Sequence, residues 1–100
     1  MVEVKWTSQS LEDINNISEY IAKDSPRYAQ IQVDDFFETA KILEIFPEAG
    51  RIIPEMNKPS LRELIVGFYR VIYKIKTPDR IDVLTIYHSR RFLSRRKLKE

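Results

Sequence analysis

The stretch LRELIVGFYRVIYKIKTPDRIDVLTIYH, residues 61–88, decides the fold. It holds three runs with a period of two, LRELIV (61–66), YRVIYKIK (69–76) and RIDVLTIYH (80–88), each rich in β-branched and aromatic residues. That alternation puts apolar side chains on one face of a strand. Gly67-Phe68 suits a two-residue hairpin turn with glycine at its first central position. Lys76-Thr77-Pro78-Asp79-Arg80 carries turn chemistry between the second and third runs. The three runs therefore predict an antiparallel meander. A turn symmetric about Pro78 sets Arg70 opposite Ile86 and diagonal to His88, and the Gly67-Phe68 turn brings Glu63 diagonal to Arg70 on the same face. A one-residue bulge would break this grouping. The other face, with Leu64, Val71, Tyr73, Ile75, Ile81 and Val83, is apolar enough to receive helices.

Upstream, VEVKW (2–6) alternates Val2, Val4 and Trp6 with Glu3 and Lys5 and reads as a short strand. Thr7 and Ser8 supply N-cap chemistry for a helix whose apolar stripe is Leu11, Ile14, Ile17 and Ile21. Ser25 caps a second helix with Pro26 in its first position, where the missing N–H costs nothing. Its stripe is Ala29, Val33, Phe36, Ala40 and Leu43, widened by Phe37 and Ile42, and it should end near Phe46-Pro47. The short connection predicts an antiparallel helical hairpin. Residues 47–60, PEAGRIIPEMNKPS, hold three of the five prolines and one of the two glycines, and read as an irregular loop. The fold class expected is α+β: an N-terminal strand, a helical hairpin, then a three-stranded antiparallel meander with the helices on one sheet face.

One hundred residues suits one domain, here taken as residues 1–100 with a basic extension from about residue 93. Cysteine is absent and histidine occurs once, which argues against disulfides and a structural zinc site. No cofactor or metal is expected. No secretory signal is seen in MVEVKWTSQS, and no apolar run approaches the roughly 20 residues that span a bilayer, so a cytoplasmic protein without a membrane partner is expected. The net charge of +2 is unevenly spread: residues 88–100 carry six cations against Glu100, a net +5, leaving −3 on the rest. A basic end on an acidic body points to an anionic partner for that end. The adjacent pairs Glu12/Asp13 and Asp34/Asp35 diverge on a helix and read as a solvated face.

If Arg70, His88 and Glu63 share a face, with Arg90 and Arg91 following the strand, the patch has the parts for metal-free RNA cleavage. His88 would serve as acid or base, and the arginines would grip phosphate oxygens. The competing reading is a lone histidine ending a strand, with rim arginines. A nucleic-acid-binding module without toxicity is a further class, although only Phe92 interleaves the terminal charges as a stacking ring.

Three segments, LEDINNISEYI, RELIVGFYRVIY and YHSRR, in the order strand, helix, helix, meander, resemble the RelE/ParE superfamily of toxins from bacterial type II toxin–antitoxin systems, and more closely its ParE-like branch. The resemblance implies a toxin neutralised by a cognate antitoxin, with operator DNA bound only through that antitoxin. ParE-like members poison DNA gyrase, and for them no catalytic residue is implied. RelE-like members cleave messenger RNA on the ribosome, and on that branch Arg70 and His88 would be catalytic. Target or phosphate contacts would come from Arg70, Arg90, Arg91, Tyr87 and Glu63. Ile52, Ile53 and Met56 would suit a wrapping antitoxin segment.

Overall fold

The computed structural model describes residues 1–89. Its strands and helices run β1 (Glu3–Trp6), α1 (Ser8–Ala22), α2 (Pro26–Ala40), a 3-10 turn (Lys41–Glu44), β2 (Arg51–Ile52), β3 (Leu61–Val66), β4 (Tyr69–Thr77) and β5 (Arg80–His88). The five strands form one sheet in the order β1-β5-β4-β3-β2, with β1 parallel to β5 and every other pair antiparallel. The meander and N-terminal strand are as the periodicity predicts. A parallel pair needs a long crossover, and here the chain between β1 and β5 runs through the helical hairpin and then β2, β3 and β4.

Both helices start where side-chain chemistry starts them. The Thr7 hydroxyl accepts from the Ser10 N–H at 3.2 Å and donates to the Val83 carbonyl at 2.7 Å, so one residue caps α1 and ties it to β5. Ser25 accepts from the Tyr28 N–H at 3.1 Å, with Pro26 in the first turn of α2. The α-helical part of α2 ends at Ala40, earlier than its stripe suggests, and the last turn tightens to 3-10 geometry, which still carries Leu43 into the core. Phe36, Leu43, Val71, Tyr73, Ile81 and Val83 are buried together between helices and sheet.

The other sheet face is covered as well, which the sequence reading did not foresee. Residues 47–60 are not wholly irregular: Arg51 and Ile52 pair with Glu63 and Arg62 to add an edge strand. Beyond it Ile53 and Met56 fold over the sheet and pack with Leu61, Ile72 and Leu84 as a second apolar cluster. Tyr73 anchors this segment, donating to the Pro47 carbonyl and accepting from the Gly50 N–H, both at 2.9 Å. A Cβ at Gly50 would lie 2.5 Å from the Glu63 carbonyl oxygen, so only glycine lets the chain pass there.

The decisive departure is in β5. Tyr73, Lys74 and Ile75 pair with Val83, Asp82 and Ile81, as symmetry about Pro78 requires. Then Leu84 bulges out, and beyond it the register is shifted by one: Val71 faces Ile86, Arg70 faces Tyr87 and Tyr69 faces His88. The carboxylate of Asp13 holds this irregularity from α1. It accepts from the Thr85 hydroxyl, and from the Ile86 N–H at 3.1 Å. Asp13 is therefore no solvated helix charge, contrary to the reading of the Glu12/Asp13 pair; Glu12 is exposed as expected.

Candidate functional site

Arg70 lies in β4 on the sheet face away from the helices and is only 5% exposed. Its guanidinium forks onto Glu55, with Nη1 and Nη2 at 2.8 and 2.9 Å from the two carboxylate oxygens. Its Nε donates to Glu63, whose other oxygen accepts from Arg51 Nε at 2.6 Å. The result is an alternating chain Arg51–Glu63–Arg70–Glu55 running from the sheet edge inward. The Gly67-Phe68 turn sets Glu63 diagonal to Arg70, as the hairpin register predicts. Glu55 arrives from the turn that carries Ile53 and Met56. Hydrogen bonding to Glu55, helped by Glu63, raises the Arg70 pKa above its ordinary value, so the cation is locked in place.

His88 is on the opposite face. It pairs with Tyr69, and the Tyr69 ring meets it edge-on at 5.7 Å. The Phe68 ring also lies parallel to the imidazole within 2°, at a centroid distance of 6.5 Å. The expectation that Arg70 and His88 share a face is thus corrected. The extra residue at Leu84 turns the end of β5 over, so that Tyr87, not His88, joins Arg70's face. His88 instead borders an open cleft of about 450 Å³ between α1 and β5, lined by Asp13, Asn16, Tyr20, Tyr69 and Ile86. Burial, and secondarily the Tyr20 phenol, raise the Tyr69 pKa.

The remaining site expectations sort by place. Tyr87 is half-buried at the margin of the second apolar cluster, and Glu63 is enclosed in the ion-pair chain. Of the three loop residues assigned to a wrapping partner, Ile53 and Met56 are core residues, whereas Ile52 is 36% exposed. Arg90, Arg91 and the extension from about residue 93 lie outside the described residues. Sequence reasoning missed Glu55, Arg51, Asp13 and Phe68. Glu55 and Arg51 sit in a segment with no periodicity to read, and Phe68 registered only as a turn residue.

Two helices on one face of a mostly antiparallel five-stranded sheet make the α+β layout that the resemblance to the RelE/ParE superfamily implies. The family model described as "ParE toxin of type II toxin-antitoxin system, parDE" matches residues 4–92, and the chain belongs to that family. Among curated relatives, toxin RelE2 of Caulobacter vibrioides is 32% identical over 91 residues, covering 91% of this chain and 99% of the relative. Putative toxin Y4kP of Sinorhizobium fredii is 29% identical over 86 residues, covering 86% of each. A solved structure titled "Chromosomal ParDE TA system from P. aeruginosa" superposes with a TM-score of 0.72 at 25% identity, over 88% of this chain and 96% of that one. The protein is accordingly a toxin of a type II toxin–antitoxin system, with a cognate antitoxin as its partner.

Proposed function

We propose that this toxin arrests growth in the ParE manner, by poisoning DNA gyrase, and that it is not a ribosome-dependent nuclease. One observation supports the reading most: Arg70 and His88 lie on opposite sheet faces, and Arg70 already forks onto a carboxylate. Metal-free RNA cleavage needs a base, an acid and cations converging on one phosphate. Two groups separated by a sheet do not converge. In addition, an arginine whose fork is filled by Glu55 has no fork left for phosphate until that pair is broken. The arginine strengthens the fold instead of meeting a substrate.

The test is induced expression with parallel readouts of plasmid supercoiling and global translation. Gyrase poisoning relaxes or breaks DNA first, while messenger RNA stays intact at toxic doses. Rapid ribosome-dependent cleavage of messenger RNA with unchanged supercoiling would reverse the assignment in favour of the nuclease branch. Growth arrest relieved by the antitoxin is expected in either case and separates both from a non-toxic nucleic-acid-binding module.

A further inference from the structure

The chain between α2 and β2 carries apolar side chains that the core does not take up. Where α2 tightens to 3-10 geometry, residues three apart eclipse one another. Leu43 therefore points inward and is fully buried, while Ile42 and Ile45 both face out, 45% and 64% exposed, with Phe46 following at 59%. Together with Pro47, Glu48 and Ala49 they line an open, largely apolar groove of about 500 Å³. Its backbone is fixed from several sides. The Phe46 N–H donates to the Ile42 carbonyl at 2.8 Å, and the Ala49 N–H to the Phe46 carbonyl at 3.0 Å. The buried Tyr73 hydroxyl holds the Pro47 carbonyl, and Arg62 Nη1 holds the Gly50 carbonyl at 3.0 Å. A groove that is already ordered loses little freedom when a partner fills it.

Charge narrows the partner. Glu48 lines the groove, and Glu44 lines the adjoining cleft that shares Ile45 with it. Neither has an ion pair among the described residues: Lys41 is engaged by Glu38 at 3.0 Å, and the Arg62 guanidinium by the carbonyls of Pro59 and Gly50. A second copy of this chain docked by the same face would set acids against acids, and a nucleic acid would meet its own charge. We propose that the groove over residues 42–49 is a docking site for the toxin-binding segment of the cognate antitoxin. That segment seats an apolar anchor against Ile45 and Phe46 and presents Lys or Arg to Glu44 and Glu48. An apolar anchor in a groove with cations at its margins is an ordinary mode of peptide recognition. This surface takes the place of Ile53 and Met56, which the core absorbs, and the exposed Ile52 follows it closely in the chain. The proposal rests on the toxin–antitoxin assignment and not on the choice of target.

The experiment uses the full chain with the cognate antitoxin polypeptide as the probe, and follows association and dissociation rates across a salt series. Phe46→Ala should raise the dissociation rate roughly 30-fold, the loss of one anchor contact. Glu48→Lys should instead slow association and flatten its salt dependence, as expected of a charge on an interface rim. Both side chains are exposed, so thermal melts of the two variants should match the wild type. In cells, growth arrest by Phe46→Ala that the antitoxin relieves less well supports the site. Unchanged rates in both variants overturn it. Faster association of Glu48→Lys would mean an acidic partner and overturns it too. Loss of growth arrest by Phe46→Ala with unaltered antitoxin binding assigns the groove to the toxin's target and likewise overturns it. None of these readouts depends on which target is arrested, so a failed gyrase assay leaves this result intact.

Discussion

Replacing Arg70 by alanine would leave Glu63, a carboxylate buried beneath the β2 edge, with Arg51 as its remaining ion-pair partner among the described residues. Breaking a buried pair from one side costs about 3–5 kcal/mol, so Arg70→Ala should lower the denaturation midpoint steeply. Arg70→Lys should recover only part of this, because an ammonium cannot fork onto Glu55 and reach Glu63 together. A loss below about 1 kcal/mol would show the chain of charges to be incidental. The same arithmetic warns that an Arg70 variant without toxicity is evidence about folding until its stability is measured. At this scale the sequence was partly legible. The two-residue turn sufficed to bring Glu63 to Arg70. Glu55 was hidden because PEAGRIIPEMNKPS has no period, and only the burial of Ile53 and Met56 fixes where its carboxylate falls.

Among the elements, β5 governs which residues meet. RIDVLTIYH reads as an unbroken strand, and no glycine or proline marks Leu84 as the residue to be extruded. The irregularity is held from a distance: Asp13 is 72 residues from Thr85, and the Thr7 hydroxyl reaches the Val83 and Leu84 carbonyls. Local pattern carries no trace of such contacts, which is why the helices and strands were legible and the face of His88 was not. Asp13→Ala removes the acceptor of a backbone N–H and a hydroxyl at once, leaving two donors short of partners. The expected cost is about 1–3 kcal/mol in a urea titration. Asp13→Asn keeps one acceptor oxygen and should cost less. Equal stability of both variants and the wild type would mean that strand pairing alone holds the bulge.

At the level of the whole molecule, the sheet has two cores, one under the helices and one under the 53–56 turn, and Tyr73 links them. Its ring sits in the helix-side cluster while its hydroxyl bonds the backbone at Pro47 and Gly50. Burial raises the Tyr73 pKa above its ordinary value. The sign follows directly: the unfolded phenol gives up its proton first, so stability is complete below a pH of about 10 and falls as the pH rises beyond it. Tyr73→Phe should be less stable at neutral pH, yet lose less on going to alkaline pH. An unchanged alkaline slope would assign that loss elsewhere. The layout of helical hairpin on meander was legible because periods of 3.6 and 2 are written plainly in the chain. The second core was not, since it is built from a proline-rich segment whose apolar residues follow neither period.

In the proposed function the toxin acts upon gyrase through surfaces that leave Arg70 buried. The most direct measurement is supercoiling of relaxed plasmid by purified gyrase with micromolar toxin added, with and without antitoxin. The prediction is inhibited supercoiling or trapped cleaved DNA, reversed by the antitoxin, and retained in His88→Ala. Undiminished supercoiling at that concentration, by a preparation that still arrests growth and cleaves messenger RNA on ribosomes, would contradict it.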